Sequence, residues 1–366
     1  MSVLQQYKCP CCGGAIEFDS NSQKLRCPFC DSEFDIEVLN EVSQTSEKVD
    51  SPDIMDNWQT DLNNQLDEKD AGKIRTYVCQ SCGGEIIGDE NTGAVTCPFC
   101  DNNVVINEKF SDMLRPDLII PFKLDKNAAK EALTKHLSDK KLLPKMFRDK
   151  NHIDEIKGVY IPFWIFDAEV EGGVKYTATR TRAWSSGDYD YTETSYFDVY
   201  REGGVAFEGI PVDASSKTAD DLMDSIEPYD LSDGVEFNPA YLAGYLADKY
   251  DVTPEEDIPR INVRVKHSTE DVFRKTVNGA YTTVSVKDSF VELKNGKAKY
   301  ALLPVWLLNT TWNGEKYVFA MNGQTGKFVG NLPEDKKLYR KYWLESFLIS
   351  APVAAAVAFL IRMLLG

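Results

Sequence analysis

The spacing C-x2-C-x14-C-x2-C occurs twice in this chain, as Cys9, Cys12, Cys27, Cys30 and again as Cys79, Cys82, Cys97, Cys100, at an offset of 70 residues. Few patterns restrict a fold so tightly. Two residues between cysteines allow a tight turn, or knuckle, that aims both thiolates at one ion, and four thiolates close a tetrahedron around Zn2+. The 14 intervening residues suit a short hairpin. Each module reads as a zinc ribbon too small to fold without its metal, whose binding supplies on the order of 10 kcal/mol. The expectation is two Zn2+ per chain, both structural, because a closed four-cysteine site leaves no coordination position for water or substrate.

The repeat extends beyond the ligands. Tyr7/Tyr77, Gly13/Gly83, Gly14/Gly84, Ile16/Ile86, Asn21/Asn91 and the run Cys27-Pro-Phe-Cys30-Asp31 against Cys97-Pro-Phe-Cys100-Asp101 all match, as an internal duplication would leave them. Gly13 and Gly83 follow the first knuckles, where a residue without Cβ tolerates positive φ. All nine cysteines precede residue 101, and the ninth, Cys11, occupies a variable knuckle position and reads as a bystander. The N-terminal MSVLQQYKCPCC lacks the basic-then-apolar pattern of a secretory leader, so the expected compartment is reducing and the cysteines read as metal ligands rather than disulfides.

Charge narrows the use of the ribbons. The 366 residues carry 41 Lys and Arg against 58 Asp and Glu, a net charge of -17. Ribbon 1 sets Lys8, Lys24 and Arg26 against Glu17, Asp19, Asp31, Glu33, Asp35 and Glu37, and ribbon 2 is similarly acidic. Without a basic stripe there is no counterion release to hold a phosphate backbone, so nonspecific nucleic-acid binding is disfavoured and protein partners are expected.

Residues 41–72 have the composition of a solvated acidic linker. Within it Ile54, Met55, Trp58, Leu62 and Leu66 recur at near-helical spacing after Ser51-Pro52-Asp53, which predicts a short helix. From residue 111 the pattern becomes mixed. Leu118–Phe122 reads as a strand and Asp125 as the cap of a helix through Leu137. Residues 159–210 alternate apolar and polar, broken at Gly172-Gly173, Ser185-Ser186-Gly187 and Gly203-Gly204, which predicts an antiparallel meander. Asn238-Pro239 reads as a helix start, and Thr253-Pro254 as another, kinked near Pro259. Ile161-Pro-Phe-Trp164 echoes Leu303-Pro-Val-Trp306, each followed by a glycine eight residues past the tryptophan, and both tryptophans are expected in the core.

Catalytic constellations are scarce. His136, His152 and His267 are the only histidines and form no HExxH pair; GxSxG and GxGxxG are absent. Gly323-Gln-Thr-Gly326-Lys327 lacks the spacing of a phosphate loop, and Asn322-Gly323 reads as a hairpin turn. The expectation is a non-enzyme, with an enzyme in the aromatic-rich body as a remote alternative.

The stretch 346–361 is uncharged, and Lys336, Lys337, Arg340, Lys341, Tyr342 and Trp343 precede it. An apolar run with a basic and aromatic flank predicts a single C-terminal transmembrane helix, a tail anchor leaving the bulk of the chain cytoplasmic.

The order of these parts, with the CPFC knuckles, the segment Lys157-Gly-Val-Tyr-Ile-Pro-Phe-Trp-Ile-Phe-Asp167, the later Leu302-Leu-Pro-Val-Trp-Leu-Leu-Asn309 and Asn322-Gly-Gln-Thr-Gly-Lys327, resembles bacterial TFIIB-type zinc-ribbon-containing membrane proteins of the YdjG type. That resemblance implies a scaffold in the envelope-stress response, working at the cell membrane beside PspA-like proteins. The expected fold class is α+β. It comprises zinc ribbon 1 over 1–40, the acidic linker over 41–72, zinc ribbon 2 over 73–110, a body of antiparallel sheet plus helices over 111–335, and the basic flank and anchor over 336–366. The expected function is that of a membrane-anchored protein adaptor, and the alternative is a transcription or replication accessory factor using the ribbons on polymerase or DNA.

Overall fold

The computed structural model describes residues 9, 15–20, 22–29, 32–35, 52–62, 64–89, 96–102, 104–107, 114–148, 153, 155–277, 279 and 281–365. In chain order the elements are β1 (Glu17–Asp19), β2 (Lys24–Arg26), β3 (Glu33–Phe34), β4 (Trp58–Gln59), α1 (Glu68–Ala71), β5 (Ile74–Cys79), β6 (Glu85–Asp89), β7 (Val104–Asn107), β8 (Leu118–Ile119) and α2 (Lys126–Ser138). There follow β9 (Lys157–Ser186), β10 (Tyr189–Asp213), α3 (Asp220–Ile226), β11 (Leu246–Asp248), α4 (Ile258–Val277), β12 (Thr283–Trp312), β13 (Glu315–Asn322), β14 (Phe328–Gly330) and α5 (Lys336–Leu365). The chain divides into two units, one of residues 1–61, 166–210 and 254–298, the other of 62–165, 211–253 and 299–366.

The second unit is built on a sheet with the order β14-β13-β12-β9-β11-β6-β5-β7. Its centre explains the twin aromatic segments. Ile161, Phe163 and Ile165 of β9, with Leu303, Val305 and Leu307 of β12, face one core cluster, whereas Trp306 and Leu308 face a second one built with Ala129, Leu133 and Leu137 of α2. Period-two alternation in strands apolar on both sides gives a sheet covered on both faces. Trp164 and Trp306 are core residues as expected, and each indole N–H finds a carbonyl, Val252 O at 3.0 Å and Leu124 O at 3.1 Å. Asp125 caps α2 by accepting from the Ala128 N–H at 2.8 Å. Asn238 likewise caps a 3-10 turn at Pro239–Leu242, and Asn322 Oδ1 accepts from the N–H groups of Gln324 and Thr325 in the turn before β14.

In the first unit, β1, β2 and β3 form a separate three-stranded antiparallel sheet. The helix α4 buries Ile261, Val265, Thr269, Phe273 and Val277, a strict i, i+4 stripe, and its Phe273 and Val277 pack with Val174, Tyr176, Ala178 and Val199. Pro259 sits in the first turn of α4, where its missing N–H costs nothing, so the expected kink does not form.

Several expectations are corrected. Ile54 to Gln59 is a strap, not a helix: Ile54 bridges Glu292 in parallel, and Trp58 and Gln59 pair in parallel with Gly296 and Lys297 of β12. Trp58 decides the conformation, because its indole lies over Gly296, donates to Asn262 Oδ1 at 2.9 Å and meets Phe166 edge-on at 5.2 Å. Gly172-Gly173 and Gly203-Gly204 lie inside β9 and β10 rather than in turns. The body sheet is mixed rather than antiparallel, since β11 runs parallel to β9 and β8 parallel to β12.

The largest correction concerns the C-terminus. The 30-residue helix α5 forms, yet among the described residues no helix is long and apolar enough to cross a membrane. Lys336, Lys337, Arg340, Lys341 and Glu345 occupy its first turns, and the uncharged stretch of 16 residues from Ser346 to Ile361 holds Pro352 and stops at Arg362. At 1.5 Å per residue that stretch reaches about 24 Å, short of a hydrocarbon core of about 30 Å. The transmembrane helix, the tail anchor and the single-pass membrane location are therefore withdrawn.

Candidate metal centre

The four cysteines of ribbon 2 come from two knuckles brought together by β5, β6 and β7. The strand β5 ends on Cys79, whose N–H donates to Gly84 O at 2.9 Å, while the N–H of Gly83 returns to Cys79 O at 2.8 Å. Gly83 has φ +74°, the left-handed conformation expected of it. In the second knuckle the N–H of Cys97 donates to Asn102 O at 2.8 Å, and the Asp101 N–H to Cys97 O at 3.1 Å.

The sulfur geometry distinguishes a metal site from a disulfide. Cys79 Sγ lies 3.4 Å from Cys100 Sγ and Cys82 Sγ 3.6 Å from Cys97 Sγ, and all four sulfurs fall within 4.8 Å of one another. A disulfide needs about 2.05 Å. Zn–S bonds of about 2.3 Å set at tetrahedral angles separate sulfurs by about 3.8 Å, so the four thiols can hold one metal ion. Among the described residues this is the one cluster of three or more His, Cys, Asp or Glu side chains placed to do so.

Electrostatics points the same way. Burial pushes the Cys97 thiol strongly up and also raises Cys82. At Cys100 burial acts upward too, but hydrogen bonds from the Asn102 backbone and side-chain amide, with Cys79 and Cys82 beside it, outweigh burial and bring it to about 6. If all four sulfurs were thiolates this close together, their mutual repulsion would be offset by a cation among them.

The body surrounds this centre. Cys79 and Cys97, both fully buried, belong to the core cluster that contains Tyr77, Ile86, Ile161, Phe163 and Val305, and Phe99, Cys100 and Val104 pack against it. The strand β11 joins ribbon to body, with Ala247 and Asp248 opposite Ile87 and Ile86 of β6 and Leu246 and Ala247 opposite Val159 and Tyr160 of β9. Three body lysines reach across. Lys157 Nζ donates to Cys97 O at 3.1 Å and pairs with Asp101 at 2.5 Å; Lys249 pairs with Glu85 at 2.9 Å; Lys217 passes over Gly84. Composition and spacing marked none of these lysines, because each meets the ribbon from a distant part of the sequence.

Ribbon 1 is described in part. Cys9 and Cys27 are buried, at 2% and 0% exposure, and the Cys27 N–H donates to Ser32 O at 2.9 Å, the counterpart of the Cys97–Asn102 bond. Cys12, Cys30 and the extra Cys11 lie outside the described residues. Of the histidines, His136 packs against the ring of Phe328, His267 faces Glu270 at 3.2 Å, and His152 lies outside the described residues.

No protein-family model matches the chain, and no solved structure matches it. Among curated proteins it is similar to the uncharacterized protein YdjG of Bacillus subtilis strain 168, with 36% identity over 331 residues that cover 90% of this chain and 91% of that protein. Likeness of that extent covers most of the chain, and the chain belongs to the family of YdjG.

Proposed function

We propose that the chain is a non-enzymatic adaptor that binds other proteins and is organised by two structural Zn2+ ions. One ion is held by Cys79, Cys82, Cys97 and Cys100, the other by Cys9, Cys12, Cys27 and Cys30. The single observation that carries this reading is that Cys79 and Cys97 are core residues of the body and not of a detached ribbon. A metal bound there stabilises the folded body directly, since its binding free energy is folding free energy. The closed donor set leaves no open position for hydrolytic or redox chemistry. The TFIIB-type ribbon resemblance, with PspA-like envelope-stress proteins as partners, is part of the proposal. Protein partners rather than nucleic acid follow from the net charge of -17.

Reduced, freshly purified protein is expected to contain two equivalents of zinc, to show negligible affinity for random duplex DNA at physiological salt, and to recover a stoichiometric protein partner by affinity capture. Fewer than two equivalents would remove the second site. Micromolar DNA binding that falls steeply with added salt would replace the adaptor with a nucleic-acid factor.

A further inference from the structure

The loop between β10 and α3 carries a polar cluster that the metal reading does not use. Asp248, at the end of β11, is completely buried. Its Oδ2 accepts from the hydroxyl of Ser215, while Oδ1 makes no hydrogen bond and faces the Lys217 ammonium at 3.5 Å. Lys217 Nζ also donates to Asp251 Oδ2 at 2.8 Å, and Asp251 is itself fixed by the N–H and hydroxyl of Ser216 at 2.8 and 2.7 Å. Burial alone would lower the Lys217 pKa, but Asp248 and Asp251 outweigh it and hold it above its usual value.

The stem of Lys217 shows what this arrangement is for. A Cβ placed on Gly84 would lie 3.3 Å from Lys217 Cδ, 3.4 Å from its Cε and 3.4 Å from Cys82 Sγ. The lysine stem therefore runs close over the first knuckle at Gly84, where a side chain at residue 84 would crowd both the stem and Cys82 Sγ. A fully buried carboxylate is costly to keep, and nothing in the pairing of β11 with β6 and β9 calls for an acid there. Its cationic neighbour is Lys217. Four thiolates around a divalent ion leave a net charge of -2, in a site where Cys79 and Cys97 are withdrawn from water and nearby charge acts strongly.

We propose that Lys217 is a positioning residue of the ribbon 2 metal centre: fixed by Asp248 and Asp251, it holds the first knuckle over Gly84 and sets positive charge beside the excess negative charge of the thiolates. The inference rests on the zinc reading of ribbon 2, and its test separates the two. Full-length chain carrying Cys12→Ser and Cys30→Ser, so that ribbon 2 alone is loaded, is titrated with Zn2+ against a chromophoric chelator and with Co2+ to record the thiolate charge-transfer band.

Groups outside the ligand set that orient it are worth about ten- to a hundredfold in metal affinity. Lys217→Met is expected to weaken Zn2+ by that factor and to shift the Co2+ band, and Lys217→Arg to restore affinity to within a few-fold. The decisive protein is Lys217→Met/Asp248→Asn, which removes the buried carboxylate along with its partner and should keep the body folded, as its cooperative unfolding in the metal-free state checks. Loss of affinity in that folded double variant is the expected result. Wild-type affinity and spectrum in it would overturn the inference, reducing Lys217 to a counter-charge for Asp248. If the parent chain takes up no metal at ribbon 2, the zinc reading falls and takes the inference with it.

Discussion

Ribbon 1 folds its three strands against one another, whereas ribbon 2 gives its three strands to the sheet of the body. The spacing of the cysteines and the second-knuckle hydrogen bond are the same in both, 2.9 Å at Cys27 and 2.8 Å at Cys97. What differs is the surroundings. The ion pair described in ribbon 1, Lys24 with Asp35, is internal to the ribbon and its side chains are 43% and 63% exposed, while the lysines around ribbon 2 come from the body and are largely covered. A duplicated motif thus keeps its local chemistry while, among the described residues, its two copies enter different sheets. Cys11 of ribbon 1 stands where ribbon 2 has Ser81, whose hydroxyl accepts from the amide of Asn102 at 3.0 Å.

The largest effect that could break this comparison is a ligand swap. Cys97→Ser should remove the ion from ribbon 2 and lower the stability of the body by several kcal/mol, given on the order of 10 kcal/mol for a structural zinc. Cys27→Ser should leave the body transition where it is. Tryptophan fluorescence follows both, because Trp164 and Trp306 are buried in the body. Equal shifts from the two substitutions would mean that ribbon 1 is as much a part of the core as ribbon 2.

A smaller effect sharpens the contrast through pH. Burial pushes the carboxyl of Asp248 up to about 7 from an ordinary 3.8, with Lys217 and Ser215 drawing it partly back. The folded chain then binds this proton more tightly than the unfolded chain. The stability that Asp248 contributes is therefore greatest below about pH 4, declines as pH rises to about 7, and is level above that. In Asp248→Asn this slope disappears, so the stability of the variant relative to wild type should rise between pH 4 and 7. Urea midpoints at several pH values check it, and a gap independent of pH would refute the buried charge.

The smallest effect compares single lysines. Lys157→Ala removes a charge-assisted bond to Cys97 O and the pair with Asp101, and should cost about 1 kcal/mol. Lys24→Ala removes an exposed pair and should cost under about 0.5 kcal/mol. Denaturant unfolding with zinc present would reverse the ranking if ribbon 2 docked without its lysines.

What could be read from sequence follows the reach of each interaction. The knuckles, the Asp125 and Asn238 caps and the Asn322 turn are decided within a few residues and were legible. The core positions of Trp164 and Trp306 were legible from their echoing apolar segments. Lys157 reaches Cys97 across 60 residues, Asp248 reaches Ser215 across 33, and Lys217 meets the distant first knuckle at Gly84, so none leaves a periodic trace. The misread glycines have a steric cause: a Cβ on Gly172 would press on Phe290 O at 2.9 Å, and one on Gly173 would collide with the Tyr200 hydroxyl, so these glycines mark close approach within strands. Ile54 and Trp58 of the strap fit helical spacing, and only the groove above Gly296 tells them to extend. The C-terminal stretch is apolar enough to suggest a span, yet its 16 uncharged residues reach only about 24 Å, and extending it to Leu365 takes Arg362 into the apolar layer.

The strand order β9-β11-β6-β5-β7 also determines how the sheet ends. An open sheet edge is a template on which foreign strands grow, and proteins keep such edges short, charged or covered. Here the strands that follow β11 are those of the ribbon, β6, β5 and β7. Removing the ion would loosen β5, β6 and β7 together and leave the three-residue β11 guarding the apolar stretch of β9 that contains Val159, Ile161 and Phe163. With the ion proposed for ribbon 2, metal supply would bear on self-association as well as on stability, because the strands it would organise lie between β11 and the end of the sheet.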